Sequence, residues 1–311
     1  MNGARILLTG STGFIGRCLY LHLAPRHRIF CVNRSRQDQS LPSISFADLF
    51  TDVGQQELRS FAPTHLIHCA ALAHRRPPVS PEGKLRLDSV NVELPVRLAR
   101  LAIELGIRRH LFLSSIGVHG SCTNGFEVIN ESSPLSPANP YALSKIKAER
   151  RLRAIHGGTP TELTILRPAL VYGRGNPGNL RLLVRAIDRG IPFPFASIAN
   201  RRSFVAVENL VSAVEFSLFH SDAGGRSFVV SDQETISTPS LLSTIAKARE
   251  QRLCMFSVPE KTFTFLRRLP VLGGKLGQLI DNLVVDSSCM RKDLGWDQPL
   301  SQSEAMLLAF R

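Results

Sequence analysis

Tyr141 and Lys145 stand four residues apart in the run Tyr141-Ala142-Leu143-Ser144-Lys145. On a helix that spacing places both side chains on one face. A phenol titrates near 10 in isolation, and a neighbouring ammonium favours its ionised form, so the pair has the makings of an acid/base for an alcohol or ketone oxygen. Ser114-Ser115 closes the apolar run Leu111-Phe112-Leu113, and a hydroxyl at a strand end can bond to the same substrate oxygen. A tyrosine and a lysine at this spacing also fit a solvated helix face. What argues for chemistry is their order behind a third motif, Thr9-Gly10-Ser11-Thr12-Gly13-Phe14-Ile15-Gly16. There Gly10 permits a tight turn, Gly13 lets backbone approach a pyrophosphate, and Gly16 lets a helix pack closely on a sheet.

The elements that must carry these residues follow from hydrophobic periodicity. Short apolar runs at 5–9, 28–32, 65–70, 110–114 and 163–166 read as strands, and amphipathic stretches at 14–23, 89–105 and 140–155 read as helices. Asn139-Pro140 suits a helix N-cap and first helical position, and Gly157-Gly158 suits its end. This alternation predicts an α/β fold, a doubly wound parallel-sheet (Rossmann) domain over 1–172. The glycine-rich stretch 173–178 breaks the pattern. A smaller, partly interwoven C-terminal α/β lobe is expected over 173–311, with 203–222 packing back on the first domain.

Cofactor choice rests on the end of the second strand. An acid there would hold the adenine ribose hydroxyls of NAD, but the chain reads Asn33-Arg34-Ser35-Arg36 and has no acid before Asp38. Arg34 suits a 2′-phosphate, so NADP(H) is favoured and NAD kept open. Arg34 and Arg36 as plain surface charges are the competing reading.

Composition narrows the class. The 311 residues are 43% hydrophobic and 20% charged, which speaks against disorder of the whole chain. No apolar run approaches the ~18 residues of a membrane span, and the N-terminus lacks a signal peptide's apolar core. A cytoplasmic protein without an integral membrane segment is expected. The six cysteines are scattered without metal-ligand spacing, so neither a disulfide framework nor a metal site is expected. The net charge of +13 suits a phosphate-bearing partner. The arginines are dispersed and lack interleaved aromatics, so no nucleic-acid partner is expected.

Together these motifs resemble the extended short-chain dehydrogenase/reductases, the NAD(P)-dependent nucleotide-sugar epimerases and dehydratases. The resemblance continues through His68-Cys69-Ala70-Ala71, Asn91, Leu166-Arg167-Pro168, Arg202-Ser203-Phe204-Val205, Asn209-Leu210 and Leu294-Gly295-Trp296. It implies Ser115, Tyr141 and Lys145 as the catalytic set. Around the cofactor it implies Gly10, Thr12, Gly13, Phe14, Ile15, Ala70, Ala71, Pro168, Tyr141 and Lys145, with Asp48-Leu49 framing the adenine. Asn179 and Arg202 match positions that contact a nucleotide diphosphate, so Ser115, Asn179 and Arg202 are the expected substrate contacts. A homodimer through the helices near 89–105 and 140–155 is also implied. The family's Val-Tyr-Gly is here Val118-His119-Gly120, a departure that bears on substrate fit.

Within the family, the segment from Asn176 to Ser203 resembles a bacterial surface-polysaccharide subgroup of UDP-glucose 4-epimerase-like proteins and reductases of UDP-4-keto-6-deoxy-N-acetylhexosamines. The expected activity is NADPH-dependent reduction of a UDP-4-keto-sugar in surface polysaccharide synthesis. The alternatives are a 4-epimerase with bound NAD and, from another class, a non-catalytic dinucleotide-binding regulator. A dehydratase is disfavoured because Ile116-Gly117, rather than an acidic pair, follows Ser115.

Overall fold

A computed structural model describes residues 3–35, 42–73, 80–123, 127–259, 261–263 and 273–311. Arg36 and Asp38 lie outside the described residues.

Strand β1 (Arg5–Thr9) is buried at its last four positions, as a central parallel strand covered on both faces should be. It pairs in parallel with β2 (Arg28–Asn33) on one side and β4 (His65–His68) on the other. With β3 (Ser43–Ser45), β5 (Arg109–Leu113), β6 (Glu162–Pro168) and β9 (Ser227–Val230) these form a seven-stranded sheet in the order β3-β2-β1-β4-β5-β6-β9. The order reverses between β1 and β4, and ligands of such sheets bind at that reversal, beyond the strand C-termini. The glycine turn leaves the end of β1 there, and Cys69-Ala70-Ala71 leave the end of β4.

Helices α1 (Phe14–Leu23), α2 (Asp52–Phe61), α3 (Pro81–Asp88), α4 (Leu94–Glu104) and α5 (Pro140–His156) connect these strands. Asn139 caps α5 as expected, its Oδ1 accepting from the Ala142 amide at 2.9 Å. The expected helix over 89–105 proves composite: residues Ser89–Glu93 form a π-helical turn ahead of α4. Strand β3 and helices α2 and α3 were not expected from the sequence. Three residues are too few to show alternation, and α2 buries only Gly54 and Leu58.

A second sheet, β10 (Thr235–Ile236), β8 (Arg202–Ala206) and β7 (Leu170–Tyr172), supports a separate apolar cluster that includes Tyr172, Phe193, Phe204 and Leu242. Helices α6 (Leu180–Asp188), α8 (Thr238–Ala248), α9 (Gly273–Ile280) and α11 (Gln302–Phe310) contribute to it. The chain passes between the two cores more than once. Helix α7 (Val207–Phe219), strand β9, helix α10 (Ser288–Leu294) and Trp296 all contribute to the core of the large sheet. Asp232 stands at the junction, buried. It accepts from Tyr172 Oη at 2.8 Å and Asn209 Nδ2 at 2.7 Å. No helix among the described residues is long and apolar enough to cross a membrane.

Candidate active site

The turn after β1 is shaped for close approach. Gly10 has φ +76°, and a Cβ there would lie 2.8 Å from the backbone of Ala70. A Cβ on Gly16 would lie 2.0 Å from the Gly10 carbonyl oxygen, so α1 rests on the turn with no room for a side chain. Beyond this turn opens a cavity of about 580 Å³. Of the expected cofactor residues, Gly10, Thr12, Gly13, Arg34, Ala70 and Ala71 line it.

Other expected cofactor residues do not line it. Phe14 and Ile15 pack against the core of the large sheet. Leu49 is fully buried in an apolar cluster with Phe30 and Leu58, and the Asp48 carboxylate accepts the Ser45 hydroxyl at 2.6 Å. Their neighbours Phe46, Ala47 and Phe50 face the cavity instead. Pro168 is buried at the end of β6.

The lining also holds two residues that carry no signal in the sequence. Arg86 of α3 and Arg97 of α4 both line the cavity, so with Arg34 it carries three guanidinium groups. The Arg97 guanidinium lies 3.6 Å from the centre of the Phe50 ring, a contact worth about 0.5–1 kcal/mol. In the sequence no motif or spacing sets either arginine apart. At the tip of β2, Asn33 is buried and accepts from the Ser11 hydroxyl at 3.0 Å. An amide tied to the glycine turn thus occupies the place where an acid would favour NAD.

Ser115 follows the end of β5, and Tyr141 and Lys145 lie in the first turns of α5. Lys145 is 1% exposed, and its Nζ donates to the Leu113 carbonyl at 2.9 Å, two residues before Ser115. That Nζ lies 4.6 Å from the Phe112 ring centre and 5.9 Å from that of Tyr141. Burial lowers the Lys145 ammonium to about 8. Burial likewise pushes the Tyr141 phenol up to about 12. The sequence had suggested a phenol drawn toward neutrality by its lysine. Among the protein's own groups desolvation outweighs that attraction, and the half-buried phenol stays protonated at pH 7. Ser115 opens a 3-10 turn, Ile116–His119, and its Oγ accepts from the Gly117 amide at 3.1 Å. The hydroxyl proton has no acceptor among the described residues. A Cβ on Gly117 would lie 3.3 Å from Ser115 Oγ and 3.8 Å from Ala142 Cβ. The turn that Ser115 opens thus packs against α5, whose first turn carries Tyr141.

The π turn before α4 explains how the two regions are joined. It brings Asn91, fully buried, between them. Asn91 Oδ1 accepts from the Leu72 amide at 2.9 Å, and its Nδ2 donates to Ser144 Oγ at 3.0 Å. Ser144 Oγ in turn donates to the Tyr141 carbonyl at 2.7 Å. The cavity wall and helix α5 are thus tied through one amide.

Asn179 and Arg202 are not brought to either region. Asn179 Nδ2 donates to Gln278 Oε1 at 2.8 Å, and Arg202 Nη1 donates to the Asp281 carbonyl at 2.8 Å. Both are bonded to the same stretch around α9, at the second core.

Fold and site together define a Rossmann-type α/β protein of the short-chain dehydrogenase/reductase kind. Residues 6–231 match the NAD dependent epimerase/dehydratase family, and the chain belongs to that enzyme family. It is 33% identical over 310 residues to a UDP-glucose 4-epimerase of Vibrio cholerae, covering 96% of this chain and 92% of the relative. It is 28% identical over 262 residues to a dTDP-4-dehydro-6-deoxyglucose reductase of Escherichia coli, covering 77% and 80%. Among solved structures, MoeE5 in complex with UDP-glucuronic acid and NAD shares the fold, with a TM-score of 0.77 at 23% identity. That alignment covers 99% of this chain and 98% of MoeE5.

Proposed function

We propose that this chain performs redox chemistry at C4 of a UDP-hexose, as an NADPH-dependent reductase of a UDP-4-keto-sugar. The observation that carries this reading is the cluster of Ser115, Tyr141 and Lys145 at the sheet's ligand end, next to a cavity edged with arginines. The residues fit a nicotinamide dinucleotide. The cradle at Gly10 leaves space where any Cβ would collide with Ala70. The Lys145 ammonium has one protein acceptor among the described residues, which leaves two N–H groups for ribose hydroxyls.

A nicotinamide dinucleotide held by the glycine turn and Lys145 would supply the hydride for C4. Tyr141, protonated at neutral pH, donates its proton to the C4 oxygen, so that the carbonyl becomes an alcohol. Ser115 donates a hydrogen bond to the same oxygen and polarises the ketone, while its own oxygen is held by the Gly117 amide. Lys145 orients the ribose and supports the phenolate left behind. Arg34, with Arg86 and Arg97 in the same cavity lining, supports NADP(H) over NAD, because three cations suit an added phosphate. Asn179 and Arg202 are proposed to meet the UDP diphosphate, with α9 as their shared support. We further propose that α4 and α5, which pack side by side, form the face of a homodimer.

A second reading, the 4-epimerase, is favoured by the name and identity of the Vibrio cholerae relative. The same three residues would serve, with Tyr141 taking a proton and later returning it. One assay separates the two. Purified protein is incubated with UDP-4-keto-hexoses and with UDP-hexoses while NADPH absorbance and products are followed. Stoichiometric NADPH oxidation supports the reductase. Interconversion of UDP-hexoses with no net cofactor consumption defeats it in favour of the epimerase. Arg34→Glu is expected to raise the KM for NADPH at least tenfold with less effect on NADH, and an equal effect on both removes the 2′-phosphate assignment.

A further inference from the structure

His119 stands where three chain segments meet, and its two ring nitrogens face different ones. Nδ1 lies 3.1 Å from the carbonyl oxygen of Pro134, and Nε2 lies 3.1 Å from Nη1 of Arg167. A carbonyl only accepts and a guanidinium only donates. The ring must therefore be neutral, with its proton on Nδ1 and its lone pair on Nε2. Burial, with the Arg167 cation acting in the same direction, lowers its pKa and keeps it in that form.

Behind His119 the contacts continue through the interior. Arg167 grips Glu149 by two bonds, Nε to Oε1 at 3.1 Å and Nη2 to Oε2 at 2.6 Å. Glu149 Oε1 also accepts the hydroxyl of Ser114 at 2.5 Å. Arg167, Glu149 and Ser114 are all nearly fully buried. Glu149 lies one helical turn beyond Lys145, Ser114 directly precedes Ser115, and Arg167 precedes Pro168 at the end of β6. On the other side, Pro134 belongs to the segment that leads into Asn139-Pro140-Tyr141, and that segment is also fixed by the Ser136 amide bonding to the Val118 carbonyl at 2.9 Å.

We propose that His119 is a positioning residue, a two-ended clasp that sets the separation between the Ser115 hydroxyl and the Tyr141 phenol. One end holds the segment that feeds Tyr141. The other end completes the bonding of the Arg167 guanidinium, through which Glu149 and Ser114 are fixed behind Lys145 and Ser115. A phenylalanine in this place fills the volume and makes neither bond. Arg167 Nη1 then lacks its His119 acceptor, and the Pro134 segment is freed to shift relative to the serine. A displacement of about an ångström between reacting groups costs on the order of a hundredfold in rate.

The inference rests on the proposed function for its assay, and the variants keep the two apart. His119→Phe, His119→Asn and His119→Gln are compared with the wild type for kcat, for KM of cofactor and sugar, and for melting temperature. The asparagine retains a donor near the Nδ1 position, and the glutamine retains an acceptor near the Nε2 position. The expected result is at least a tenfold fall in kcat for His119→Phe with cofactor KM within twofold, and partial recovery in one or both amide variants. The wild type is also expected to show an Nδ1-protonated, Nε2-bare imidazole in 15N spectra, assigned by its loss in His119→Gln. Wild-type kcat in His119→Phe overturns the inference. So does a loss that neither amide recovers, or a ring protonated on Nε2. A wild type that turns over none of the sugars defeats the proposed function, and this inference with it.

Discussion

Lys145 holds an ammonium in a nearly dry interior, and pH makes the cost visible. Its pKa lies near 8 in the folded chain against 10.5 for the free group. Between those values the unfolded chain holds more protons than the folded one, so this residue contributes stability that rises with pH from about 8 to 10.5. Activity has the opposite sign. The charged form exists below about 8, so kcat is expected to fall as pH rises through that value. In Lys145→Met the inflection disappears and the remaining rate is about a hundredfold lower. A pH–rate profile checks this, and a wild-type rate that is flat from pH 7 to 9 sinks it. Tyr141 behaves differently, because its phenol stays protonated throughout that range. Tyr141→Phe removes the proton donor while keeping the ring, and is expected to lower kcat about 10²- to 10⁴-fold with little change in substrate affinity. Unchanged turnover in that variant would remove Tyr141 as the proton donor.

At the level of elements, the π turn Ser89–Glu93 does what a regular helix would not. One extra residue per turn rotates the face that α4 presents, and such turns recur at functional sites. Here it buries Asn91 between Leu72 and Ser144 and leaves Val90, Leu94 and Arg97 on the cavity wall. Asn91→Leu removes both bonds and leaves the Leu72 amide without its Asn91 acceptor. The expected loss is about 1–3 kcal/mol in urea unfolding, together with weaker cofactor binding measured by fluorescence. A variant with wild-type stability and affinity would show that the amide tie is dispensable. The apolar spacing of 89–105 did reveal a helix. It could not reveal the π turn, because the choice between two hydrogen-bond registers is made by what the buried amide finds to bond with after packing.

Across the whole molecule, the two cores are joined by polar groups as well as by chain crossings. Asp232 bonds Tyr172 beside one core and Asn209, from a helix of the other. It also accepts from the Ala206 amide at 3.2 Å. Asp232→Ala leaves these donors without that carboxylate in a buried place, and is expected to destabilise the protein by about 3 kcal/mol. Calorimetry should show whether the large sheet and the second lobe then melt in separate steps. A single transition at the wild-type temperature would contradict a coupling role. The homodimer belongs to this scale too. Leu143 on α5 is 45% exposed, and Leu143→Glu is expected to shift a dimer toward monomer in light scattering. A wild type that is already monomeric disproves the proposed face.

The linear chain by itself determined the parallel α/β architecture, the glycine turn, the cap of α5 and the shared face of Tyr141 and Lys145. Each of these depends on local spacing: strand and helix periods, a backbone angle open to glycine, a side chain reaching three residues ahead. Only folding decided which distant groups became neighbours. Arg86 and Arg97, on α3 and α4, came to line one cavity with Arg34, which follows β2. Leu49 turned into the core while Phe50 faced the cavity. His119, noticed as a departure from a family pattern, gained one partner from a strand forty-eight residues away and the other from the loop at Pro134. Contacts of that kind carry no period, since they are selected by the burial of polar groups that must find partners once water is gone.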